Sequence, residues 1–71
     1  MRFDDAKTYT LSEVAWALGA YSTSLERLIR QGKLRGSWDK PADSYRLKGQ
    51  EVNRFLAEVL PTLPPEELRR P

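Results

Sequence analysis

Val14-Ala15-Trp16-Ala17-Leu18-Gly19-Ala20-Tyr21-Ser22-Thr23-Ser24-Leu25-Glu26-Arg27-Leu28-Ile29 is the stretch that decides the fold. Leu11, Val14, Ala15 and Leu18 recur at helical spacing and make one apolar stripe. Ser12 stands where an N-cap is needed, and Glu13 suits the positive end of the helix dipole. Leu25, Leu28 and Ile29 form a second stripe. Thr23 with Glu26 three residues later reads as a capping box, with Ser22 as the alternative cap one residue earlier. Gly19 is placed to end the first helix and Gly32 the second, where a left-handed residue suits a C-terminus. Two short helices joined by a few residues, with Gly at the turn, make a helix-turn-helix pattern.

The period changes after Gly32. Lys33–Trp38 and Ser44–Lys48 alternate polar with apolar, and Asp39-Lys40-Pro41-Ala42-Asp43 between them is turn chemistry, so a β-hairpin follows the second helix. Two strands alone are marginal, and the hairpin must lean on the helices. Val52, Phe55, Leu56, Val59 and Leu60 then predict a third helix from about 49 to 60, stopped by Pro61. The expected organisation is a flexible polar N-terminus at 1–8, one domain at 9–60, and a loosely held Pro-rich tail at 61–71 with one helical turn from Pro65. The fold class is mainly α with a small hairpin, an α+β arrangement.

With 71 residues the core is small. The chain has no Cys and no His, which excludes disulfides, zinc fingers and Cys/His or Ser/His/Asp catalysis. No paired-carboxylate or nucleophile constellation is visible, so the expectation is a binding protein rather than an enzyme, without cofactor, metal or small-molecule substrate. No apolar run reaches membrane length, and the first residues do not form a secretory signal, which predicts a cytoplasmic protein without a membrane partner. Net charge is only +2. Its distribution is uneven: residues 21–48 carry Arg27, Arg30, Lys33, Arg35, Lys40, Arg46 and Lys48 against Glu26, Asp39 and Asp43, for +4, while each flank sums to −1. Basic charge gathered on one region is what a polyanion-binding face requires.

These residues resemble the excisionase and MerR-like winged helix-turn-helix family. The matching stretches are Tyr9–Gly19, Leu25–Leu34, Tyr45-Arg46-Leu47 and Glu51–Leu56. The resemblance implies a second helix lying in the major groove of DNA and a hairpin wing along the backbone or minor groove. It also implies the role of a phage or mobile-element excisionase, a recombination directionality factor that bends DNA to direct a recombinase, with transcriptional regulation as a related role. The second helix is less basic than the family's usual pattern, with Tyr21, Ser22, Thr23 and Glu26 at positions where Ser, basic and aromatic residues are common. That shifts weight onto the wing.

Arg27 and Arg30, three apart on the second helix, can offer guanidinium forks to guanine or phosphate; the alternative is a solvated face with a Glu26–Arg30 pair. Ser22, Thr23 and Ser24 can contact base edges or phosphate, or simply cap the helix. Arg35, Lys40 and Arg46 are the wing residues expected to meet phosphates, where Lys33 and Lys48 also lie. Trp38 is either a minor-groove wedge or a cover for the core. Trp16 lies off its helix's apolar stripe and either packs on the tail at Leu60 and Leu63 or marks a protein interface, to which Leu63 would contribute. A lone winged helix contacts few base pairs, so self-association on DNA is expected. The competing reading is a protein-binding adaptor on a degenerate winged helix, such as a phage packaging component or an inhibitor of a host protein.

Overall fold

Gly19 holds the first turn. Its backbone is left-handed, at φ 64°, and its N–H closes back on the carbonyls of Ala15 and Trp16. A computed structural model describes residues 1–71. Strand β1 (Thr8–Thr10) runs directly into helix α1 (Leu11–Leu18). Helix α2 (Ser22–Arg30), strands β2 (Ser37–Asp39) and β3 (Ser44–Lys48), and helix α3 (Gly49–Arg54) follow. The architecture is α+β, with three helices and a three-stranded antiparallel sheet in the order β1-β3-β2. Thr8 pairs with Lys48 and Thr10 with Arg46 on one side of β3, and Ser37 pairs with Arg46 on the other.

Both expected caps move. The N-cap of α1 is Thr10, not Ser12. Its hydroxyl accepts from the Glu13 N–H at 3.1 Å, and the Glu13 carboxylate accepts from the Thr10 N–H at 2.8 Å. The box forms because β1 delivers an extended Thr10 immediately ahead of Leu11, which is itself buried. The Thr23–Glu26 box does not form: α2 begins two residues too early for it, with Tyr21 as an N-cap that makes no side-chain capping bond. Instead, the Tyr21 N–H is tied to Leu68 O at 3.0 Å.

Ten apolar side chains make the core: Phe3, Leu11, Val14, Ala15, Leu25, Leu28, Leu34, Leu47, Val52 and Phe55. Phe3 belongs to the segment that polarity alone marks as free. Asn53 holds it there, accepting from the Phe3 N–H at 2.8 Å and donating to Phe3 O at 2.7 Å, while Tyr9 packs edge-on to the Phe3 ring at 5.0 Å. The hairpin is correspondingly a three-stranded sheet, and its first strand is Ser37–Asp39 rather than a run from Lys33.

The third helix keeps its predicted extent but not its regularity. After Arg54 the chain widens into a π turn over Phe55–Val59, closed by Leu60 N–H on Phe55 O, and then a 3-10 turn, Leu60–Thr62. Pro61 has no N–H to give, and its ring would strike the carbonyl four residues back in a straight α-helix. The wider turn leads the chain past that conflict. The tail is docked, not loose: Pro65–Arg69 form a 3-10 turn against α2, and Leu63 and Leu68 pack on the core.

Candidate nucleic-acid interface

Alternation along β3 sets the sheet's two faces. Tyr45 and Leu47 turn inward, and Arg46 and Lys48 turn outward. The outward face meets the first turn of α3 at a cleft of about 530 Å³ lined by Arg35, Gly36, Ser37, Arg46, Lys48, Gln50, Glu51 and Arg54, with no hydrophobic side chain among them. Four cations share this cleft with one carboxylate.

Two of the three guanidinium groups are held in place. Arg46 Nε donates to Asp39 Oδ2 at 2.8 Å. Arg54 donates to Glu51 through Nε at 2.8 Å and Nη2 at 2.6 Å, and the other Glu51 role is to accept the Arg35 N–H at 2.9 Å. Glu51 therefore staples the chain entering β2 to the start of α3. Arg35 and Lys48 are exposed and form no ion pair. Counting Asp39 and Glu51 against Arg35, Arg46, Lys48 and Arg54 leaves a local charge of +2. Pre-oriented forks beside exposed, unpaired cations in a polar concavity suit the tetrahedral anion of a phosphodiester.

Arg54 hydrogen bonds hold the Glu51 carboxyl below the usual value of 4.5; burial opposes them less strongly, and the Arg35 N–H adds a smaller lowering. The Glu13 carboxyl is lowered too, by the Thr10 N–H and hydroxyl. A lowered folded-state pKa means stability that is complete above the unfolded value and lost as pH falls through the folded one. Melting temperature is therefore expected to drop as pH goes from about 5 to about 3. The drop should be shallower in Glu51→Gln, measured by circular dichroism; an identical acid limb in the two proteins would remove Glu51 from the account.

The remaining sequence candidates divide. Thr23 and Arg30 face solvent on α2, with Ser22 half-buried. Lys40 is exposed at the hairpin turn, outside the cleft. Ser24 is fully buried and is no free contact residue: its hydroxyl donates to the Arg70 carbonyl. Arg27 is turned toward the tail, 3.9 Å from Glu67 and 3.1 Å from Pro71 O. Trp16 does not pack on the tail, since it is 89% exposed, whereas Leu63 is half-buried against the core. Trp38 neither covers the core nor stands alone; it is 53% exposed and edge-on to Tyr45 at 5.0 Å. Gln50, Glu51 and Arg54 are the functional candidates that sequence reading missed.

No family model, curated protein or solved structure matches the chain. No helix is long and apolar enough to cross a membrane. No group of three or more carboxylates lies close enough together to hold a metal ion.

Proposed function

We propose that this is a double-stranded-DNA-binding protein of the winged helix-turn-helix kind, without chemistry of its own. The cleft of Arg35, Arg46, Lys48 and Arg54 is the observation that carries the reading. It gathers cations on the outward face of the hairpin, where a wing would lie along a DNA backbone. The connection of α1 to α2 through left-handed Gly19, with the hairpin following α2, supports the same reading. Thr23 and Arg30 are the α2 side chains best exposed to reach base edges, and Lys40 extends the phosphate contacts at the wing tip. The long axis is 33 Å, about one turn of B-DNA, so one copy covers about one half-site and useful occupancy calls for several copies on DNA.

Within that reading, a phage or mobile-element excisionase acting inside the cell with a recombinase, or a small regulator, fits the size and the resemblance. The adaptor reading keeps one specific support in Trp16, a large apolar side chain left in solvent.

Fluorescence anisotropy of a random duplex tests the proposal. Binding is expected at about 50 mM salt, with a log–log salt slope near −3 to −4 if each cleft cation neutralises one phosphate. Absence of binding at that salt would turn the assignment to the adaptor.

A further inference from the structure

The C-terminal strap and α2 are joined by polar contacts on the flank of the helix that a DNA groove would also meet. Leu68 O accepts the Tyr21 N–H, Arg70 O accepts the Ser24 hydroxyl, and Pro71 O accepts Arg27 Nη2 at 3.1 Å. Arg27 is left only 24% exposed. Its position under the strap is poorly satisfied. Nη1 is buried, lies beyond hydrogen-bond reach of Glu67 at 3.9 Å, and meets no other protein acceptor. A buried charged donor without an acceptor is costly, and a phosphate oxygen would relieve it.

We infer that residues Pro65–Pro71 are an intramolecular occupant of the DNA-facing flank of α2, displaced when duplex DNA docks there. The inference rests on the DNA-binding reading and adds its regulation. With the strap closed, the cleft of Arg35, Arg46, Lys48 and Arg54 is free to hold phosphates, since none of its lining comes from the strap. With the strap open, Arg27 joins Thr23 and Arg30 on the exposed surface. Backbone binding then precedes groove entry, and apparent affinity is reduced by the fraction of molecules with the strap closed.

Pro64 and Pro65 are exposed and uncharged, and replacing both with Gly loosens the strap through chain entropy without altering charge or core. Pro64→Gly/Pro65→Gly is expected to bind duplex about three- to tenfold more tightly at constant salt. The Leu68 methyl resonances of the unaltered protein should move to free-chain values at saturating duplex. Leu68→Ala, also charge-neutral, should tighten binding in the same direction if it stays folded. If the unaltered protein binds duplex but the Gly variant gains nothing and the Leu68 methyls stay in place, the strap inference is overturned and the DNA reading stands. If neither protein binds duplex, the DNA reading fails and takes the strap's role with it.

Discussion

Gly49→Ala is expected to lower the melting temperature by about 20–40 °C, the largest stability loss of any single methyl addition in the chain. The reason is space rather than backbone conformation. A Cβ at position 49 would lie 1.9 Å from Asp4 O and 2.7 Å from Asp4 C, and 3.1 Å from the Tyr9 ring. The obstacle is backbone, which cannot swing aside as a flexible side chain would. Gly49 also donates its N–H to Lys7 O at 2.8 Å, so the two segments cannot simply separate there. The N-terminal segment has to leave. That removes Phe3 from the core, worth about 1.5–3 kcal/mol. It also removes the Asn53 bonds to Phe3 and the Tyr9 hydroxyl bond to Asp4, at about 1 kcal/mol each. A loss of about 5 kcal/mol is a large part of the roughly 4–10 kcal/mol available to a domain of this length. Thermal denaturation followed by circular dichroism measures it. A melting temperature within a few degrees of the unaltered protein would mean that residues 3–7 do not sit over Gly49.

The same segment shows where sequence reading stops. The stripes of α1 and α2, the Gly19 turn and strand β3 were legible because each is a local period repeated often enough to be seen. β1 is three residues long, too short to show a period, and its pairing is fixed by β3 almost forty residues away. Asn53 looks like an ordinary polar position on the third helix, and only the fold brings it to Phe3. Arg35 and Arg46 were legible from the hairpin's alternation. Arg54 was not, because the third helix was read for its apolar face while Arg54 works from the other one. Ser24 could have been placed correctly. It stands four residues before Leu28 and next to Leu25, on the inward stripe, yet a hydroxyl near a helix start invites a capping or contact role. The strap's hold on α2 is made largely of backbone carbonyls, which no side-chain pattern announces.

Reversing charge at the two unpaired cations of the cleft, Arg35→Glu with Lys48→Glu, is expected to weaken duplex binding at about 50 mM salt by at least two orders of magnitude. Each phosphate contact contributes about 0.9 to the salt slope, which at that salt corresponds to roughly a fifteenfold gain in affinity, so losing two costs about two hundredfold before any repulsion is added. The choice of residues separates binding from folding. Arg46 and Arg54 hold Asp39 and Glu51, and altering them would disturb the hairpin and its staple to α3. Arg35 and Lys48 are exposed and unpaired, so surface substitutions there should shift stability by no more than about 0.5 kcal/mol. The salt slope should fall by about two in magnitude, and the loss should be similar on every sequence tried, because phosphates carry no base identity. A reversed protein that stays folded and binds as before would remove the cleft from the interface and leave α2 alone to account for any DNA binding. A full loss with an unchanged melting temperature would make the cleft the anchor on which α2 and its strap act.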